Sequence, residues 1–325
     1  MIKILAVVVS VAALGQLAGC ATPAPAEPVL LTIDGSRLPA ANVSVAIAGL
    51  SHCTDSGDRS LKLNAQHPVT VLVHGCFSSA GRYRGMAQVL AFHGQQTVCF
   101  NYDDRDSLRV SAAQLNGALD QLAARLTNKN ITVIGHSQGA LIARKALSVR
   151  EPHAAPAKDA QLRLVTVSGP FGGIAAARHC GSPLWKTLSL GLVAPICQIV
   201  TGDKWSEITY NSPFIVKPAP LDARVRDFLK IETDEAGSCR RTSNGACVES
   251  DAIFSLAEQR NPAVDQGPLV NIVTVKAGHV EIVGNNRVGP VKLIAVLQEH
   301  GVIKPTEPER KETLGLLLTR LFGAL

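Results

Sequence analysis

Val133-Ile134-Gly135-His136-Ser137-Gln138-Gly139-Ala140 is the stretch that decides how this chain is read. An apolar, β-prone run, Ile131 to Ile134, stops at a glycine, and a helix-forming stretch from Ala140 to Val149 follows at once. Between them lies G-x-S-x-G with Ser137 at its centre. A serine hydroxyl is a weak nucleophile unless it is held clear of the sheet, beside a base and beside amides that can stabilise an oxyanion. A sharp strand-to-helix turn presents it that way at a cost in backbone strain, and Gly135 and Gly139 leave room for strand and helix to approach. The new helix also directs free N–H groups toward the same point. Ser137 is therefore the candidate nucleophile.

Working outward, 325 residues with 46% hydrophobic and 18% charged side chains suit one large α/β domain. The net charge of +6 comes from scattered Lys and Arg, with no basic run or aromatic stacking platform, so nucleic acid is not an expected partner. The absence of C-x-x-C and H-E-x-x-H spacings gives no support to a metal site, and no cofactor is expected.

Met1-Ile2-Lys3 followed by the apolar run Ile4 to Leu14 is too short to span a bilayer and reads as a secretory signal. Leu17-Ala18-Gly19-Cys20 resembles the bacterial lipobox, which implies that Cys20 becomes the lipidated first residue of the mature protein. Ala21, in place of an aspartate, implies the outer membrane. Residues 1–19 are then the signal peptide, 20–28 a Pro/Ala-rich tether, and 29–325 the domain, anchored to the cell envelope by lipid.

Setting Cys20 aside leaves seven cysteines, an odd number for an oxidising compartment. Cys239 and Cys247 flank a polar loop and are the first bridge to expect. Cys180–Cys197 and Cys53–Cys76 come next, and Cys99, inside an apolar strand, reads as a buried thiol.

Eight strand candidates follow the tether. Val29–Ile33 and Val43–Ile47 read as an early antiparallel pair. Val69–Val73, Thr97–Phe100, Ile131–Ile134 and Leu162–Val167 are short buried runs separated by helical patterns, which is the signature of a parallel sheet. Phe228–Ile231 and Val270–Val275 supply the last two. Leu115, Leu119, Leu122 and Leu126 form one apolar stripe on a helix packed against that sheet. Helices are also expected at Val288–His300 and in the Leu-rich tail Thr313–Leu325, which is read as docked on the core rather than on a membrane. After the sixth strand the rhythm breaks, and residues 172–221 read as a cap or lid insertion lining an acyl pocket.

Ser137 follows the fifth of these strands, and His279 follows the eighth, in Lys276-Ala277-Gly278-His279. Glu232, Asp234 and Glu235 lie after the seventh. The order Ser, acid, His is that of the α/β-hydrolases. Over roughly residues 29 to 300 the chain resembles that superfamily, particularly its bacterial lipase-like serine esterases. Val71-Leu72-Val73-His74-Gly75-Cys76 resembles the lipase oxyanion loop, and Ser212-Pro213-Phe214 resembles the stretch those lipases carry after the cap. The resemblance implies an α/β-hydrolase fold with a mostly parallel eight-stranded sheet, and hydrolysis of carboxylic esters or lipids through an acyl-enzyme. It also implies His279 as base, with the amides of Gln138 and Cys76 as the oxyanion hole. For the acid, residue type favours Asp234, while the wider family spacing favours Glu235; Asp234 is preferred. Asp103-Asp104-Arg105-Asp106 reads as a solvated, salt-bridged loop. An acyltransferase on the same fold, or a non-catalytic envelope-binding lipoprotein, are the competing functions.

Overall fold

A computed structural model describes residues 36–149, 159–174 and 203–323. The signal peptide, the tether, the expected strand Val29–Ile33, the Cys180–Cys197 pair and most of the 172–221 insertion lie outside the described residues.

Seven of the described strands make one sheet. In chain order they are β2 (Leu50–Ser51), β4 (Val69–Val73), β5 (Gln96–Phe100), β6 (Asn130–His136), β7 (Gln161–Val167), β8 (Val225–Asp234) and β11 (Val270–Lys276). Their spatial order is β11-β8-β7-β6-β4-β5-β2, parallel throughout except for β2, which pairs antiparallel with β5 at the edge. The sheet thus holds seven described strands where eight were expected. Val43–Ile47 does not join it. β1 (Val43–Ala46) pairs instead with β3 (Ser60–Leu63), a run too polar and short to announce itself, and the two form a separate antiparallel ribbon.

The central strands are buried on both faces because helices cover both. All five residues of β4, Val-Thr-Val-Leu-Val, are buried, and such β-branched runs pack well only when the sheet is sandwiched. On one face lie α2 (Leu108–Arg125) and α3 (Gln138–Ala146), and the stripe Leu115, Leu119, Leu122 and Leu126 joins Val71, Val133 and Leu164 in a single cluster. On the other lie α1 (Arg84–Phe92) and two C-terminal helices, Val291–Glu299 and Lys311–Phe322. The tail helix buries Leu317, Leu318 and Phe322, with the last two in the same cluster as Leu72 and Ile231, so the Leu-rich tail docks on the core as expected. No described helix is long and apolar enough to cross a membrane.

Between β8 and β11 the chain inserts a hairpin, β9 (Cys239–Ser243) and β10 (Ala246–Ser250), closed by the Cys239–Cys247 disulfide. The other expected pairing is corrected. Cys53 bonds to Cys99, and Cys76 is free. Cys99 points out of β5 at the sheet edge, where β2 brings the chain just before Cys53 alongside, so a thiol that read as buried core is in fact bridged.

Candidate active site

Strand β6 ends at His136, and the next residue, Ser137, adopts φ 56° and ψ −125° before α3 begins at Gln138. That backbone region is costly for a residue with a Cβ and persists only where its surroundings over-determine it. Here the surroundings are tight. The Ser137 N–H donates to the Val167 carbonyl at 2.9 Å. A methyl group on Gly139 would lie 2.3 Å from the Val73 carbonyl oxygen, and one on Gly135 would lie 2.4 Å from the Gly139 carbonyl oxygen. A methyl group on Gly75 would stand 2.9 Å from the Ser137 Cβ, so the loop after β4 passes directly against the serine. That places the chain of Gly75 and Cys76 on one side of Ser137 and the first turn of α3 on the other. The Gln138 N–H, at the first helical position, has no intrahelical acceptor to reach.

His279 sits just past β11, 6% exposed, and its Nδ1 donates to Glu235 Oε1 at 2.9 Å. The expected pairing, Asp234 with His279, is not the one the structure holds. Asp234 is the last residue of β8, and its side chain leaves the sheet on the solvent side, where it pairs with Lys276 at 3.0 Å. Strand alternation sends the next residue inward, and Glu235 is 2% exposed. Two backbone amides, of Ile253 and Phe254, donate to its Oε2 at 2.6 and 2.7 Å, and the Thr233 hydroxyl donates to its Oε1 at 2.9 Å, with the Ser168 hydroxyl behind it. This set of donors satisfies the buried carboxyl oxygens and fixes which of them faces the histidine. The longer glutamate side chain reaches a base set farther from the strand end than an aspartate would span. Glu232, the third acid of the cluster, is committed elsewhere. Burial opposes its charge, but Lys230 and Arg260, each at 2.9 Å, hold its carboxyl below the usual range.

The histidine loop is shaped by a residue that the sequence did not single out. The Asp251 carbonyl accepts from the His279 N–H at 2.9 Å, and its carboxylate accepts from the N–H groups of Val280 at 3.1 Å and Glu281 at 2.9 Å, with Arg240 at 2.8 Å as counter-ion. A methyl group on Gly278 would fall 2.2 Å from the Asp251 carboxylate, which is why glycine precedes the histidine. The Phe254 ring meets the imidazole edge-on, centroids 4.9 Å apart. His136 packs on the opposite side, 4.7 Å between centroids, and its Nε2 lies 2.9 Å from the His279 carbonyl. That contact braces the His279 loop. Burial, and then the neighbouring His279, hold the His136 ring pKa well below the ordinary imidazole value, so it is neutral and Nε2 is the donor.

His74, in the oxyanion-loop motif, is also buried and its pKa is lowered by burial. Its ring stacks on Tyr102 at 4.3 Å, and the Tyr102 hydroxyl donates to the His74 carbonyl at 2.6 Å. These two rings contribute to the acid sensitivity of the fold, as do His52 and His93, whose pKa values burial also lowers. In the unfolded chain an imidazole takes up a proton as pH falls through about 6.5, while both buried rings resist it. The unfolded state then binds more protons than the native one, so stability declines below about pH 6.5, by at most ~1.4 kcal/mol per pH unit for each ring. Thermal melts from neutral pH down to about pH 5 should show this slope, and His136→Gln should make it shallower by the share of one ring. An unchanged slope in that variant would contradict the assignment.

Cys76 is half-buried with its thiol against Lys204 Nζ at 3.0 Å. Burial pushes the thiol pKa up, against the opposing pull of the lysine, so the thiol stays protonated at neutral pH. The acidic run that read as a solvated loop departs from that reading at Asp104. Its carboxylate accepts from the Phe77 N–H at 2.6 Å and its carbonyl from the Gln138 side-chain amide at 3.1 Å. Among the described residues, no group of three or more His, Cys, Asp or Glu side chains is placed to hold a metal.

A strained serine between strand and helix, a buried histidine–carboxylate pair at the carboxyl ends of neighbouring strands and a loop passing against the serine lie together at one end of the sheet. The fold is α/β, a mostly parallel central sheet flanked by helices. Residues 68–215, a little under half of the chain, match the family model described as Palmitoyl protein thioesterase. No curated protein matches in sequence. Among solved structures, the propeptide form of a Bacillus licheniformis lipase is similar at 15% identity and a TM-score of 0.53. That match covers 79% of this chain and 54% of the lipase chain, so the present chain spans about half its length. The mature form of the same lipase is 15% identical over 71% of this chain and 89% of its own, with a TM-score of 0.47. An esterase of Pyrococcus furiosus is 16% identical over 88% of this chain and 94% of its own, with a TM-score of 0.43.

Proposed function

We propose that the chain is a serine hydrolase of carboxylic esters that works through an acyl-enzyme formed on Ser137. The observation that carries this reading is the buried His279–Glu235 pair, with Glu235 saturated by donors, set at the same end of the sheet as the strained serine. In the first step His279 Nε2 accepts the Ser137 proton as Oγ attacks the ester carbonyl carbon. The charge that develops on the carbonyl oxygen meets the N–H groups of Gln138 and Cys76, a contribution of about 3–4 kcal/mol for each well-placed donor. Glu235 keeps the imidazole proton on Nδ1 and stabilises the imidazolium. His279 then returns the proton to the leaving alcohol, and water repeats the cycle in reverse. A fluorophosphonate probe should label the wild-type chain at one residue, Ser137. Absence of label on folded protein would sink the reading in favour of a non-catalytic envelope-binding lipoprotein.

A second reading has a specific observation behind it. The family model matched by residues 68–215 is named for a thioesterase, which favours a thioester-linked acyl group as substrate beside the oxygen ester. The same triad serves both, since a thiolate leaves without needing the full proton transfer that an alkoxide needs. Paired rates on an alkyl ester and a thioester of one acyl length separate the two, and product analysis with added alcohol separates hydrolase from acyltransferase.

The N-terminal reading places the enzyme on the cell envelope, outer-membrane side, anchored through Cys20. Cys20→Ser should then move the protein out of the membrane fraction, or leave it unprocessed, and abolish metabolic palmitate labelling. Equal membrane retention of both proteins without label would refute the anchor.

A further inference from the structure

We propose that Lys204 is a positioning residue for the oxyanion hole, locking together through Asp104 the two chain segments that supply its amides. The inference rests on the proposed role of the Cys76 and Gln138 N–H groups and deepens it.

Lys204 lies in a single turn, Asp203–Ser206, and is 2% exposed. A buried ammonium is strongly disfavoured unless its donors are satisfied. Among the described residues its polar partners are Cys76 and Asp104, and the Phe77 ring lies 5.8 Å from the ammonium. Nζ donates to the Cys76 Sγ at 3.0 Å and to the Asp104 backbone carbonyl, and lies 3.7 Å from the Asp104 carboxylate. Asp104 in turn holds both sides of the hole. Its carboxylate accepts from the Phe77 N–H at 2.6 Å, and its carbonyl accepts from the Gln138 side chain at 3.1 Å.

The Phe77 contact explains why a clamp is needed. Phe77 has φ 54° and is 80% exposed, with the Lys204 ammonium 5.8 Å from its ring, so apolar packing does not hold the left-handed turn that presents Cys76. The hydrogen bond to Asp104 does, and Lys204 holds Asp104. Hydrogen-bond donors to a developing oxyanion act over a few tenths of an ångström, and a displacement of about 1 Å costs on the order of a hundredfold in rate. Substrate binding in an acyl pocket does not depend on that distance. Loss of the clamp should therefore appear in kcat far more than in KM, whereas a merely structural ion pair would move the melting temperature alone.

The test compares wild type, Lys204→Met, Asp104→Ala and the double variant on a soluble p-nitrophenyl ester, with melting temperature and circular dichroism alongside. Folded Lys204→Met should lose about ten- to a hundredfold in kcat with KM within about threefold. Because the two residues act as one unit, the double variant should be little worse than the poorer single one. Folded Lys204→Met with kcat within about twofold of wild type overturns the proposal, and so does a multiplicative loss in the double variant. If Lys204→Met fails to fold, Asp104→Ala, at the less buried end of the clamp, decides, and an unchanged kcat there overturns it as well. Ser137→Ala run in parallel separates the two failures. Retained turnover in that variant removes the site reading itself, while an inactive serine variant beside a fully active Lys204→Met removes only the clamp.

Discussion

Ser137→Ala eliminates ester turnover, lowering kcat by about 10⁴-fold or more, while the protein folds and melts as wild type does. The hydroxyl is the only candidate nucleophile in the G-x-S-x-G turn, and no other group at that point can form the acyl-enzyme. The substitution removes one oxygen and adds no bulk, so the close approach of Gly75 to the serine Cβ is undisturbed. The strained backbone remains, since alanine carries the same Cβ penalty as serine. The measurements are steady-state kcat on a p-nitrophenyl ester and a thermal melt of each protein. Activity within about tenfold of wild type in a folded variant would falsify the triad, because the oxyanion hole alone supplies only a residual rate.

The second large effect separates two neighbouring carboxylates. Glu235→Gln should lower kcat by about 10³- to 10⁴-fold with little change in KM. The amide keeps the shape of the carboxylate but cannot keep its hydrogen bonds. Its NH2 group must face either the amides of Ile253 and Phe254, donor against donor, or the His279 Nδ1. In the second case the ring proton shifts to Nε2, and the imidazole can no longer accept the serine proton. Asp234→Asn, by contrast, loses only an exposed partner of Lys276 and should hold kcat within about twofold. The reverse pattern in kcat would return the role to Asp234.

That contrast shows where the sequence was legible. Strands β4 to β8 and β11 stood out because buried β-branched runs bounded by helical stripes have few other readings, and Ser137 and His279 stood out because glycines and strand ends flank them. The acid did not. Asp234 and Glu235 differ by a single step along a strand end, and which one faces inward depends on register with β7 and β11, which no local pattern encodes. Asp251 and Lys204 were invisible for a related reason. Each acts through backbone groups or a single neighbour reached across long stretches of chain, so neither has a spacing to recognise. The Cys53–Cys99 bridge was missed because its formation depends on the edge strand β2, two residues long and without periodicity.

The hairpin between the acid and the base has a consequence for how this chain can vary. Glu235 precedes it and Asp251 follows it, and these two residues, with the amides just beyond them, are what touch the histidine loop. The strands between them are largely exposed and paired mainly to each other. The segment is therefore interchangeable in length and content beyond Arg240, a cassette whose fastening points, Glu235, Asp251 and the Arg240 paired with it, matter and whose tip does not. Engineered versions of this chain can carry a longer or shorter tip there, and a surface for new partners can be grafted onto it while Arg240 keeps its place against Asp251.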